Sequence, residues 1–573
     1  MFMDAFTKTA ELLSPVDLWR DFDRSLPLSD SVLNETVDGS VVFSYVSFYG
    51  RQVDFGDRVK IFGVFAYNKK FTRKTRKSAI LIIPDVGKSV DYDLINAFVN
   101  QGYSVFSPDL YGKRQDGDSN YTVYPDAVSY ANYQSVGRHL DYCDGTAKST
   151  AWYEWVAVSM YCVRFLKECR AIEKIGVLGE KDGANVAWQL CGIDRDGDID
   201  CFVPLFGAGW RTYRGVYKYS GKEIAVNDER LRYLAGVDAH AYAQYVRCPV
   251  FYMTATNSDK YDCDRAMDTL ARIPESILHN LNFSVKYLDC LDVNCKRNVD
   301  LFFANHLLGY SKAVLPTTPR LNLDVEDGVI KANLGLDFSD VLRVKKLSVY
   351  VSADGQNPVF RDWREMKMLK SLEENSKNFV YNVPNNCSFV TAFGLVEYRN
   401  GYTVCSPMIT KKTVKVDGRK NNLLYSTSDI LNGFSFLTPE KTELCGSFFL
   451  CDDPIEYVEG SDKICGVFSK YGLINLCFND RTLNLSERNY LVFDANCVAD
   501  AVLKATLVVE DDGAVDEFVF ATALTGGDVW QKVLIKLSDF KNEKLLSVKN
   551  YDKIVALKLQ VNEKCIFNNL LVV

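Results

Sequence analysis

The sequence predicts an α/β domain built on a parallel sheet, followed by two all-β sandwiches, and three observations carry that expectation. Between Ser78 and Gly309 short, largely apolar strands alternate with helical segments, which is the pattern of a parallel sheet covered on both faces. The stretch AVLPTTPRLN, with two prolines and two threonines, then breaks the periodicity. Beyond it the apolar runs are short and strand-like, with turn pairs at Asp354-Gly355 and Asn400-Gly401.

Composition sets the frame. At 573 residues the chain has room for about three or four domains. Hydrophobic residues at 47% and charged residues at 25% describe a globular chain and not a disordered or fibrous one. A net charge of −7 offers nothing to a nucleic acid. The opening MFMDAFTKTAELLSPVDLW lacks the apolar core of a signal peptide, and no run approaches the roughly 18 apolar residues of a membrane span. A cytoplasmic location is expected on those grounds. The 17 cysteines are an odd number set among apolar neighbours, as in Leu190-Cys191 and Leu476-Cys477, so they are expected to be buried thiols in a reducing compartment. No C-x-x-C pair is present, and the spacings Cys290 to Cys295 and Cys445 to Cys451 lack histidine partners. No metal and no cofactor are expected.

Along the chain, VVFSYVSFYG and RVKIFGVFAYN flank a turn-rich VDFGD between Ser40 and Tyr67 and predict an opening antiparallel hairpin. SAILIIPDVG and YSVFSPDLYG read as parallel strands, the first followed by a helix from Tyr92 to Val99. WYEWVAVSMYCVRFLKECR reads as an amphipathic helix from Trp152 to Arg170. DCFVPLFGAGW and CPVFYMTATN extend the sheet, FSVKYLD adds its last strand, and NVDLFFANHLLG closes with a helix. The mixed-sign KRQDGDSN is a solvated loop. IDRDGDIDC is a plain connection, since a calcium loop counted from Asp194 would place Ile199 where glycine belongs and Leu205 where the closing glutamate belongs. The expected domains are 1–312, 313–416 and 417–573, with DGRKNN at the second boundary and Trp530 as a strand core residue. Strand lengths and turn spacing suit an immunoglobulin-like sandwich in the middle and a jelly roll at the end.

The chemistry concentrates in KIGVLGEKDGANVAWQL, residues 174–190, where an apolar strand turns through Gly179 and Gly183 into a helix. This is a nucleophile-elbow layout, in which G-x-S-x-G lifts a serine above the sheet edge. Here the five positions are Gly179, Glu180, Lys181, Asp182 and Gly183, and no G-x-S-x-G occurs elsewhere. An amine attacks only when neutral, and carboxylates on both sides favour its charged form. Asp182 stands where a backbone N–H would serve an oxyanion, and its negative charge opposes that role. The simplest reading makes Asp182 the cap of the following helix.

The stretches LIIPDVG, YSVFSPDLYG, GVLGEKDGANVAWQL, CPVFYMTATNSDKYD and DLFFANHLLG resemble the landmarks of α/β-hydrolases of the acetyl xylan esterase, cephalosporin-C deacetylase and dienelactone hydrolase branch, over roughly half of the chain. VWQKVLIKLSDF is similar to a strand of carbohydrate-binding jelly rolls. The resemblance implies an α/β-hydrolase-like fold and a serine, acid and histidine triad. Lys181 occupies the nucleophile position. Ser258 occupies the acid position, with Asp259 one place later. The histidine loop, LDCLDVNCKRN, has no histidine. His279 is expected before the last strand, His306 inside the closing helix, and His139 as a structural residue after the second parallel strand. Pro84, Asp85, Val86 and Gly87 replace the histidine and glycines frequent in the oxyanion loop of that group.

Asp85, Val86, Glu180, Lys181 and Trp210 are therefore the candidates to line a pocket, and Lys181, Asp182, Ser258 and Asp259 are degenerate catalytic positions. The expected function is that of a non-catalytic hydrolase relative that binds or scaffolds, with carbohydrate or a small acylated molecule as partner and neither nucleic acid nor membrane. The alternative is an ester hydrolase with an atypical site.

Overall fold

The computed structural model describes residues 12–573 except 54–55, 71–76, 89, 114–119, 134–139, 170, 311–312, 327–328, 342, 371–374, 383–386, 414–422, 426–433, 437–443, 446–448, 451–453, 480–482 and 484. His139, most of KRQDGDSN and the boundary DGRKNN lie outside the described residues.

Nine strands form the first sheet: β1 (Ser31–Asp38), β2 (Val41–Gln52), β3 (Arg58–Asn68), β4 (Ser78–Ile83), β5 (Ser104–Asp109), β6 (Lys174–Glu180), β7 (Cys201–Leu205), β8 (Val250–Ala255) and β9 (His279–Ser284). Their spatial order is β1-β2-β3-β5-β4-β6-β7-β8-β9. β2 and β3 form the expected antiparallel hairpin, with Val42 opposite Tyr67 and Ser47 opposite Phe62. The exposed strand β1 extends it. From β5 to β9 every neighbouring pair is parallel. The central strands β4, β5, β6, β7 and β8 are buried almost throughout, which is why they read as continuous apolar runs without alternation.

Three local expectations need correction. The helix Ala151–Glu168 buries nearly its whole length and is not amphipathic in the expected sense. Even Glu154 is inside, where Arg51 Nε donates to Oε2 at 2.7 Å and the Tyr130 hydroxyl donates to Oε1 at 3.3 Å; a buried charge persists where it is paired. The last strand of the sheet begins at His279, earlier than FSVKYLD suggested. Its polar residues are satisfied inside: Asn280 Nδ2 donates to Pro316 O at 2.8 Å, and Asn282 Nδ2 to Cys295 Sγ at 3.1 Å. The closing helix, Val293–His306, likewise starts earlier than expected and ends on His306.

Beyond the first sheet the paired strands among the described residues are antiparallel. One group of two sheets lies within residues 320–412, and a second group within 423–572. In the first group the sheets approach closely, since a Cβ on Gly394 would collide with the Leu334 side chain of the facing sheet. The second group has its own core, built from residues such as Leu491, Phe493, Leu503, Leu507, Leu557 and Phe567. Trp530 is half-buried and not a core residue; its Nε1 donates to Ser461 O at 3.0 Å, which draws the ring over Gly460 and Gly466 at the sheet surface. The cysteines are also not all thiols. Cys497 and Cys565 face each other across an antiparallel pair and form a disulfide, because that register brings their Cβ atoms together, whereas most other described cysteines are free and buried.

These β regions dock tightly on the first domain. Asn298 of the closing helix exchanges hydrogen bonds with Thr403, donating to its carbonyl at 2.8 Å and accepting its N–H at 2.9 Å. Arg361, fully buried, donates from Nη1 to Asp264 Oδ1 at 2.9 Å, from Nη2 to Asp264 Oδ2, and from Nε to Gly355 O at 2.8 Å. No helix among the described residues is long and apolar enough to cross a membrane.

Candidate functional site

The turn after β6 has the geometry of an elbow, with Lys181 at its centre. β6 ends at Glu180, Lys181 takes φ +52° and ψ −114°, and the helix Asp182–Gly192 starts at once. That left-handed backbone is strained for any residue with a Cβ, by about 1–3 kcal/mol, and persists only where the surroundings impose it. Here they do. A Cβ on Gly183 would collide with the carbonyl oxygens of Ile83 and Pro84, and one on Gly179 would lie 2.7 Å from Ala184 Cα. Lys181 N–H donates to Leu205 O at 2.9 Å, which ties the turn to β7.

Above the turn, the side chains compose a closed charge arrangement. Lys181 is half-buried with its Nζ 5.7 Å from the centre of the Phe206 ring. Glu180 is buried beneath it. Asp182 does not cap the helix as expected. It is the first helical residue and its carboxylate turns away, forming an ion pair with Arg211, whose guanidinium lies 5.7 Å from the Trp152 ring centre. The cap comes from another loop: Asp85 Oδ1 accepts the Asp182 N–H at 3.1 Å.

The same oxygen, Asp85 Oδ1, also accepts the Val86 N–H at 2.9 Å. In an α/β-hydrolase the N–H after the nucleophile and an N–H from the loop following the corresponding early strand hold the oxyanion. In this chain Asp85 Oδ1 lies between the Val86 and Asp182 N–H groups and accepts from both. Burial and the nearby Asp182 push the Asp85 carboxyl up from its ordinary range, while the two N–H groups and Lys181 pull it back. Tyr111 supports the loop, its hydroxyl donating to Pro84 O at 2.5 Å.

The turn after β8 and the loop after β9 reach the later β regions. Ser258 is buried, and its Oγ accepts the Tyr261 N–H at 3.3 Å. Asp259 is exposed at the end of that turn, and its carboxyl lies beside that of Asp289. Just before them, Asn257 Nδ2 donates to Val359 O at 3.0 Å and Arg361 O at 2.9 Å, both in the middle β region. After β9, Lys286 Nζ lies 3.7 Å from Asp362 Oδ1, and Leu291 bridges to Phe449 of the last β region. Cys290 is the loop residue that feels Lys181. Burial pushes its thiol up to about 12, with Asp289 adding and Lys181 opposing, which favours the protonated thiol.

Trp210 has left-handed backbone geometry and is fixed on all sides. Its Nε1 donates to Thr269 Oγ1 at 3.0 Å, its ring stacks on His240 at 4.2 Å between centres, and the Arg272 guanidinium lies 5.8 Å from it. The structure therefore brings together Asp85, Val86, Glu180, Lys181 and Asp182, and leaves Trp210, Ser258 and Asp259 to separate local networks. Sequence reasoning missed Arg211 and the buried pair Asp238–His240, in which His240 Nδ1 lies 2.8 Å from Asp238 Oδ1. The D-A-H spacing at 238–240 is the signal that could have flagged the second. Of the four histidines, His279 and His306 sit at strand start and helix end, away from the elbow. Among the described residues the one group of carboxylates and thiols near enough to share an ion is Asp262, Cys263 and Asp264. Arg361 occupies both oxygens of Asp264, and Asp262 accepts the N–H groups of Lys218 and Asp264, so this cluster is a structural junction.

No protein-family model matches the chain, and no curated protein matches it in sequence. Solved structures similar to it include an acetyl xylan esterase from a Paenibacillus species, at 12% identity over 53% of this chain and 94% of that one, with a TM-score of 0.39. Acetyl xylan esterase 1 from a Thermoanaerobacterium species shows 12% identity over 47% and 86%, with a TM-score of 0.33. Est1E from Butyrivibrio proteoclasticus shows 12% identity over 45% and 98%, with a TM-score of 0.32. The chain thus resembles α/β-hydrolases, and at these values the likeness transfers no residue roles.

Proposed function

We propose that this chain is a non-catalytic relative of the α/β-hydrolases that works as a binding or scaffolding protein, with a hydroxyl-rich ligand such as carbohydrate as its partner. One observation carries the reading: Asp85 Oδ1 takes both N–H groups that an acyl-transfer oxyanion would need, while the nucleophile position is a lysine between two acids. Preorganised donors of this kind are usually the largest single source of rate in such sites. A fixed carboxylate between them opposes the developing negative charge. The loops that would supply acid and histidine contact the two β regions through Asn257 and Leu291, with Lys286 just before the second loop adding an ion pair.

The same reading treats the chain as three domains, 1–312, 313–416 and 417–573, with an immunoglobulin-like and then a jelly-roll sandwich. It is supported by paired antiparallel sheets in each of the two later regions. The test is hydrolysis of an activated acetyl ester by the full chain beside a Lys181→Ala variant. Equal rates, both near the uncatalysed background, are expected. A parent rate more than tenfold above the variant would replace this reading with that of an ester hydrolase.

A further inference from the structure

A cleft of about 420 Å³ opens where the three parts of the chain meet, away from the elbow turn. Its volume is within the range of roughly 300–1,000 Å³ typical of small-molecule sites. One residue from each part shows how closely the walls converge. Asn357 Nδ2, in the middle region, donates to Glu510 Oε1, in the last region, at 2.9 Å. Tyr217, from the first domain, faces the same carboxylate, and its hydroxyl lies 3.4 Å from Asp259 O.

The walls are held before any ligand arrives. Asn357 Oδ1 accepts the Val359 N–H at 3.0 Å, so its amide is fixed at both ends. The floor is a small apolar cluster shared between the middle and last regions, in which Phe360 packs with Val508 and Val555. Tyr551 adds a half-buried aromatic ring on the last region's side. Lys222 reaches from the first domain to the turn at Gly513, where a Cβ would lie 2.5 Å from its Nζ. Such prior fixing lowers the ordering cost of binding.

The chemistry narrows the ligand. Asp354, Glu510, Asp512 and Asp552 outnumber Lys222 and Lys553 in the lining, which disfavours phosphates and other anions. These acids are not gathered around an ion position; among the described residues that proximity occurs only at 262–264. A carboxylate has about four acceptor sites, and Asn357 uses one of those on Glu510, which leaves strong acceptors for hydroxyl donors. Aromatic rings beside fixed carboxylates and amides suit a ring with an apolar face and a hydroxyl rim.

We infer that the cleft between Tyr217, Asn357, Glu510 and Tyr551 is a binding site for a short neutral oligosaccharide. This deepens the binding-protein reading above and rests on it, but it moves the ligand from the elbow to the junction of the three regions.

The experiment is isothermal titration of the full chain with xylotetraose, cellotetraose and mannotetraose, each tested against Tyr551→Ala and Glu510→Gln variants. At least one saccharide is expected to bind, and each variant is expected to weaken it tenfold or more. Thermal unfolding of Tyr551→Ala, read beside its binding, separates lost contact from lost fold, because that half-buried ring also packs against the core of the last region. No binding of any of the three sugars overturns the inference, as does binding that survives both variants. Binding that fails in Lys181→Ala while the cleft variants bind normally places the ligand at the elbow and also overturns it. So does tight binding of spermidine in place of the sugars, which would make the negative lining a polyamine site. Ester turnover, measured separately, tells a failure of the cleft from a failure of the non-catalytic reading.

Discussion

Asp85 Oδ1 accepts the backbone N–H of Asp182 at 3.1 Å across 97 positions of sequence. The contact joins the loop after β4 to the first residue of the elbow helix, and it places a carboxylate at the positive end of that helix, where negative charge is favoured. The same carboxylate oxygen also accepts the Val86 N–H, so this helix end is covered from within the chain.

Restoring the missing hydroxyl should therefore not restore activity. A Lys181→Ser variant regains G-x-S-x-G but still has Asp85 between the donors and no histidine in the loop that carries Cys290. Acetyl-ester turnover of this variant is expected to match the parent, because nucleophile, base and oxyanion donors act as a unit. A hundredfold gain would mean that a working base and an accessible oxyanion site are both present.

The strain at the elbow yields a stability prediction. Lys181 has φ +52°, a conformation that glycine adopts without penalty. Lys181→Gly is expected to stabilise the chain by about 1 kcal/mol, the lower end of what such strain costs. Urea unfolding of parent and variant measures this. A loss of stability would show that the lysine side chain, through Phe206 or its acidic neighbours, contributes more than its backbone costs.

Arg361 and Asp264 hold the first domain to the middle β region without access to water. Removing one partner strands the other charge, so Arg361→Ala or Asp264→Ala is expected to cost about 3–5 kcal/mol. The double variant Arg361→Met with Asp264→Leu is expected to recover much of the loss, since a buried pair replaced by apolar groups is often neutral. Thermal unfolding midpoints decide it. Single variants as stable as the parent would mean that the two regions are not held by this pair.

His306 gives the fold an acid sensitivity. Burial and then the nearby Lys174 lower its pKa to about 4, against about 6.5 in an unfolded chain. Between those values the unfolded state binds the proton and the folded state does not. The contribution of His306 is therefore complete above about pH 6.5 and is lost as pH falls toward 4. Its buried Nε2 has no hydrogen-bond partner among the described residues. His306→Phe, which keeps the ring beside Phe302, is expected to flatten the stability profile in that window. An unchanged profile would assign the acid response to other groups.

The sheet was legible because its central strands are buried on both faces and so read as unbroken apolar runs. The elbow was legible because Gly179 and Gly183 are demanded by contact with Ala184 and with the β4 carbonyls. Its altered chemistry was visible in the identity of residue 181 alone. What the Asp85 side chain does was not visible, because its partner is distant in sequence and the decisive feature is the direction of one carboxylate. Asp182 misled for the same reason: a short acid at a helix start normally caps, but Arg211, from a loop beyond β7, draws it aside. The inward Glu154 and the polar strand β9 escaped notice since each is satisfied by groups outside its own segment.

The most direct measurement of the central claim is labelling of the parent protein with a serine-directed fluorophosphonate, read by intact mass and located by peptide mapping. No stoichiometric adduct is expected, because Asp85 Oδ1 accepts the Val86 and Asp182 N–H groups and the residue between Glu180 and Asp182 is a lysine. One full equivalent of label on any residue in 179–183 or 257–260, or on Cys290, would contradict it.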